Sequence, residues 1–216
     1  THDFPTHRML NKKVILLTRD GRDAIISAFK RERRATSLDY YLAYNHSAFG
    51  VSHPITWAMF HQVWQDIMPR EQMLVVSFEN LKTRPAFEVE KVLVFLGVTR
   101  TKSEIQNAIE SSDFENARKC EQAYFRRLAE RGEQSSHPLK VITGQVPVVN
   151  RKGQPGEWKT AFSDDALGHF NGFPSRELLR LGYELPQVAV EAGARPDAPA
   201  ECLSEDESKE FLNHIL

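Results

Sequence analysis

Hydrophobic positions along this chain fall into two kinds of run. Val14-Ile15-Leu16-Leu17 and Met73-Leu74-Val75-Val76-Ser77-Phe78 are short and continuous, with polar residues at their ends. Strands buried on both faces of a parallel sheet read this way. Elsewhere the apolar residues recur at helical spacing. An Asp20-Gly21 turn leads into a helix from Asp23 to about Arg34, and His53-Pro54 opens another that carries Trp57, Phe60, Val63, Trp64 and Ile67 up to Met68-Pro69. Pro85 starts a third, stopped by Gly97; further helices are predicted over 103–111 and 113–131, a short one after Ser163-Asp164-Asp165, and a last one from Ser175 closed by Gly182. Helix patterns alternating with strand patterns predict a three-layer α/β/α domain with a central parallel sheet.

The remaining stretches lack a period. Residues 1–11 read as loop, 37–52 as an aromatic and polar loop or helix, and 132–160 as a long connection. From Pro186 the chain is rich in Pro, Ala and acid, which predicts a disordered acidic tail over 186–216 behind a domain over 1–185.

Composition narrows the class. A chain of 216 residues with 41% hydrophobic and 26% charged residues buries a proper core as one soluble domain. The net charge of −1 hides a basic stretch over 8–34 and an acidic one from Glu184 onward. That distribution favours a local anionic ligand over a nucleic-acid surface. Cys120 and Cys202 are too few and too far apart for a disulfide framework, and His53 and His61 lack the pairing of a metal site. No metal is expected, and the cysteine usage suits a reducing, cytoplasmic setting. No apolar run approaches membrane-helix length.

Two segments carry candidate chemistry. Arg19 follows the first strand, and ligands of open α/β sheets bind at the carboxyl ends of strands. Its guanidinium can grip a phosphate through two parallel bonds. The competing reading pairs Arg19 and Arg22 with Asp20, Asp23 or Glu32. In Arg151-Lys152-Gly153-Gln154-Pro155-Gly156-Glu157-Trp158-Lys159, two glycines bracket a proline between cations. Such a turn offers backbone N–H groups and charge to an anion, although a basic surface turn has the same composition.

Taken together, these segments resemble the sulfotransferases that use 3′-phosphoadenosine 5′-phosphosulfate (PAPS). The run from Lys13 through Arg19 to Ser27 is similar to that family's strand–helix element, whose Arg and the Ser eight residues later bind the 3′-phosphate. Residues 76–85 look like its second strand-end segment, before a helix ending in Phe95-Leu96-Gly97, and residues 151–159 look like its RKGxxGDWK loop. The resemblance covers roughly 1–184 and implies a P-loop-like sulfotransferase fold. It departs at Phe78, where many members carry Tyr near the adenine, and at Glu157, which replaces Asp. At Ser163-Asp164 it lacks the family's dimerisation pattern, so no dimer of that type is inferred. The family's Lys-Ser/Thr phosphate loop has no counterpart here. The expectation is a fold incomplete at its N-terminus and a fragment inactive as it stands.

The reaction implied is transfer of a sulfuryl group from PAPS to an acceptor hydroxyl or amine of a small molecule or glycan, leaving 3′,5′-ADP (PAP). The resemblance assigns His2 as general base, with His7 its rival. It gives Arg19, Ser27, Arg151, Lys152 and Gly153 to the 3′-phosphate and Phe78 to the adenine side. The alternative is a non-catalytic PAP- or PAPS-binding module, or a subunit completed by another chain. No nucleic-acid partner is expected, and the acceptor and oligomeric state are not legible.

Overall fold

The computed structural model describes residues 4–32, 37–43, 50–132 and 153–185. In chain order the elements are β1 (Val14–Thr18), α1 (Gly21–Glu32), α2 (Leu38–Ala43), α3 (His53–Ile67), β2 (Met73–Ser77), α4 (Phe78–Thr83), α5 (Pro85–Leu96), α6 (Lys102–Ser111), α7 (Phe114–Glu130), α8 (Trp158–Ala161), α9 (Asp164–Gly168) and α10 (Phe173–Arg180). Short 3₁₀ turns precede each strand. The chain divides into two compact units, Thr1–Glu79 with Gly156–Leu216, and Asn80–Pro155.

In the first unit β1 and β2 pair in parallel, from Val14 opposite Met73 to Thr18 opposite Ser77. The connection between them is right for a parallel pair, because it contains a packed helix. That helix, α3, begins with Pro54 in its first turn and stops where Met68 bonds back to the Trp64 carbonyl, just before Pro69. Its Trp64 forms a buried cluster with Leu16 and Met68, against which Val14, Met73 and Val75 of the two strands pack. A second cluster joins α1, α2, α9 and α10 through Ile25, Tyr41, Leu42, Ala166, Phe170 and Leu178.

The strands are less enclosed than their sequence suggests. Leu16 is buried, but Ile15 and Leu17 are 40% and 55% exposed. Alternation puts those two on the opposite face from Leu16, so among the described residues β1 is covered on one face and not on both. Helix α1 also starts two residues earlier than predicted. Gly21 is its first residue, and a Cβ there would meet the Trp57 ring at 2.5 Å, so the glycine answers a close approach and not a turn. The segment after β2, read as a plain strand end, forms the short helix α4. The last helix, predicted from Ser175 and closed by Gly182, lies at Phe173–Arg180 with Pro174 in its first turn.

The second unit holds helices whose ends were written in the sequence. Gly97, at φ 75°, closes α5, and its N–H bonds to the Leu93 and Val94 carbonyls. Thr101 and Glu104 cap α6 reciprocally, and the bonds from Thr101 hold the Glu104 carboxyl below its ordinary range. Asp113 caps α7 by accepting from the Asn116 N–H at 2.6 Å. Within α5, the fully buried Glu88 is met by Lys91 at 2.8 Å and Arg84 at 3.8 Å. The acidic tail predicted over 186–216 and most of the 132–160 connection lie outside the described residues.

Candidate functional site

Two residues, Arg19 and Asp20, separate β1 from α1. Asp20 caps the helix: its Oδ1 accepts from the Arg22 backbone N–H at 3.0 Å. The same carboxylate takes the Arg22 side chain through Nε at 2.9 Å and Nη2 at 2.7 Å. Arg22 is only 1% exposed, and its Nη2 also donates to the Glu184 carbonyl at 2.7 Å. Arg22 therefore follows the ion-pair reading and is spent on structure. The Asp20 N–H donates to Glu79 Oε1 at 3.1 Å, and Glu79 Oε2 accepts from the Tyr183 hydroxyl at 3.0 Å. These bonds tie the end of β1 to the residues following β2. Burial raises the Tyr183 pKa well above its ordinary value, against a lowering bond to Thr18 and with the Glu79 charge adding to the rise.

Register then decides what stands beside Arg19. Thr18 and Ser77 are the last paired residues of the sheet, so the next residue of each strand emerges at the same carboxyl-terminal edge. Those residues are Arg19 and Phe78, and the guanidinium carbon lies 4.8 Å from the centre of the Phe78 ring. A cation and an apolar face are thus presented together where α/β sheets take ligands. Ser27 sits on α1, half-buried, about 9 Å along the axis from Gly21 at a helical rise of about 1.5 Å per residue.

The glycine-rich segment is reached through its second half. Both carboxylate oxygens of Asp23, in the first turn of α1, accept backbone N–H groups: Oδ2 from Gly156 and Oδ1 from Trp158, the latter at 2.9 Å. Glu157, between them, pairs with Lys30 at 2.6 Å. The Arg22 guanidinium lies 3.6 Å from the centre of the Trp158 ring. In the second unit, Gly153 has φ 61° and packs against Phe114 so closely that a Cβ would lie 2.6 Å from the ring. His2, Arg151 and Lys152 lie outside the described residues. Among the described residues no group of His, Cys, Asp or Glu is arranged to hold a metal ion, and no helix is long and apolar enough to cross a membrane.

Asp23, Glu79, Trp158 and Tyr183 were not singled out from the sequence as site residues. Asp23 reads there as the start of the first helix and as one possible ion-pair partner of Arg19 or Arg22. Its partners lie 133 and 135 residues away, a pairing that no local spacing encodes.

Comparison with known proteins adds an independent result. The pattern of the sulfotransferase domain matches residues 2–181. Sulfotransferase 1A1 of Bos taurus is 22% identical over 187 residues, spanning 80% of this chain and 58% of the bovine protein. Sulfotransferase 2A1 of Homo sapiens is 23% identical over 189 residues, spanning 84% of this chain and 62% of the human one. Among solved structures, mouse sulfotransferase SULT7A1 complexed with PAP superposes with a TM-score of 0.55 at 19% identity, over 77% of this chain and 58% of that one. Retinol dehydratase in complex with retinol and PAP gives 0.58 at 18% identity, over 83% and 51%. The chain thus spans about three-fifths of the length of these curated relatives and shares the α/β sulfotransferase fold. With the domain pattern matched over most of its length, the chain belongs to the sulfotransferase domain family.

Proposed function

We propose that this chain binds PAPS, and its product PAP, as part of a sulfotransferase acting on a small-molecule or glycan hydroxyl or amine in a reducing, cytoplasmic setting. The observation that carries the reading is the juxtaposition of Arg19 and Phe78 at the carboxyl ends of the paired strands. It fits the nucleotide: an anion needs the cation, and a base needs the apolar face. The PAP bound in the SULT7A1 and retinol dehydratase structures supports the same ligand class here.

When bound, PAPS supplies the sulfuryl group that passes to the acceptor, with PAP as the leaving portion. The chain's own residues then bind, orient and move a proton. Arg19, Ser27, Arg151, Lys152 and the Gly153 N–H hold the 3′-phosphate, which separates this nucleotide from ordinary adenosine monophosphate. Phe78 lies along the adenine side. His2 takes the acceptor proton, since an imidazole titrating near neutrality is suited to general base work worth about 10²–10⁴-fold.

Arg151→Ala tests the assignment. By titration calorimetry it weakens 3′,5′-ADP binding by about 10- to 100-fold, the range of a charged hydrogen bond, and leaves 5′-AMP binding nearly unchanged. Equal losses for both nucleotides contradict the assignment.

A further inference from the structure

We infer that Asp23 is a positioning residue for the 3′-phosphate segment: its carboxylate holds the Gly156 and Trp158 backbone and so sets the preference for a 3′-phosphorylated nucleotide. The inference rests on the nucleotide reading above. An acidic residue in the first turn of a helix ordinarily serves that helix's own N–H groups or its dipole. Here that work belongs to Asp20, which caps α1 and engages Arg22 on both carboxylate oxygens. Asp23 is free of it. Buried at 1% exposure, its carboxylate turns outward from α1 and spends both oxygens on the returning chain.

Three consecutive residues of that chain are held by α1. Gly156 and Trp158 donate to Asp23, Glu157 pairs with Lys30, and the Trp158 ring lies against the Arg22 guanidinium. The contacts differ in strength. The Lys30–Glu157 pair is partly exposed and contributes little, whereas the two bonds to a buried carboxylate are charge-assisted. Gly156 adopts φ 87°, a conformation side chains rarely take, so the backbone meets Asp23 in a geometry built around glycine. In the sequence this clamp comes directly after Arg151-Lys152-Gly153 and Gln154-Pro155. It therefore holds the residues that directly follow the segment proposed to reach the phosphate.

The test uses Asp23→Asn, which keeps the shape but sets an amide NH₂ against one of the two backbone donors. Two measurements are made: affinities for 3′,5′-ADP and 5′-AMP by calorimetry, and amide exchange at Gly156 and Trp158 by NMR. The expected result is a loss on the order of tenfold for 3′,5′-ADP, with 5′-AMP within about twofold and faster exchange at both amides. Unchanged discrimination between the nucleotides, or equal weakening of both, overturns the inference. So does unchanged exchange at the two amides. Should Asp23→Asn not fold, Asp23→Glu displaces the carboxylate by one methylene: a reduced ratio of the two affinities supports the inference and an unchanged ratio overturns it. A wild-type chain with no preference for 3′,5′-ADP defeats the nucleotide reading itself, while the exchange data still report whether Asp23 clamps the turn.

Discussion

Arg19 and Arg22 stand on the same short link and do different work. Arg22 is enclosed by Asp20, the Glu184 carbonyl and the Trp158 ring. Removing one partner of such a pair leaves a buried charge, at about 3–5 kcal/mol. Arg19 is half-buried beside Phe78 at the sheet edge. Sequence spacing offered Asp20 to either arginine; in the fold the Asp20 carboxylate that caps α1 through the Arg22 N–H also takes the Arg22 side chain. A second residue-scale case is His61, buried in α3, with Nδ1–H donating to the Trp57 carbonyl at 2.8 Å. Burial lowers its pKa; the Trp57 bond opposes this and the charge of Arg180 reinforces it. The unfolded chain therefore takes up this proton at a higher pH than the folded one. The stabilisation by neutral His61 is complete above about pH 6.5 and is lost as the pH falls below that value. Glu177, raised chiefly by burial, works in the opposite sense as the pH climbs above its ordinary value, so wild type must be compared with a variant that shares it. His61→Asn keeps a donor for the carbonyl. Denaturant unfolding from pH 7.5 to 5.5 should show wild type losing stability relative to this variant by up to about 1.4 kcal/mol per pH unit. Parallel curves contradict this.

At the scale of elements, β1 gives the clearest contrast between what a sequence states and what a fold does with it. Four consecutive apolar residues read as a strand buried on both faces, yet Leu16 is 5% and Leu17 55% exposed. Leu16→Ala should cost about 2–5 kcal/mol in thermal or denaturant unfolding, and Leu17→Ala below about 1 kcal/mol. Equal costs would mean that both faces are packed. Helices with local end signals were legible: Pro85 and Gly97 bound α5, and Asp113 caps α7. Helix α4 was missed because six residues between a strand and a proline offer too little length for a period. Exposure of one strand face and the need for glycine at position 21 depend on what packs nearby, the Trp57 ring in the second case. No local pattern carries that information.

For the whole molecule, the sulfotransferase identity came from three segments in order, around residues 19, 78 and 153, and not from any one of them. The sequence could place Arg19 and Phe78 each at a strand end, but only the parallel register of β1 with β2 sets them side by side. It could name the glycine-rich run, while the buried carboxylate gripping Gly156 and Trp158 emerged only from the fold. Titration of the wild-type chain with 3′,5′-ADP and with 5′-AMP under identical salt is the most direct test. An extra phosphate held by several cations gives tighter binding of 3′,5′-ADP by on the order of 10²-fold; equal affinities for the two nucleotides contradict the account.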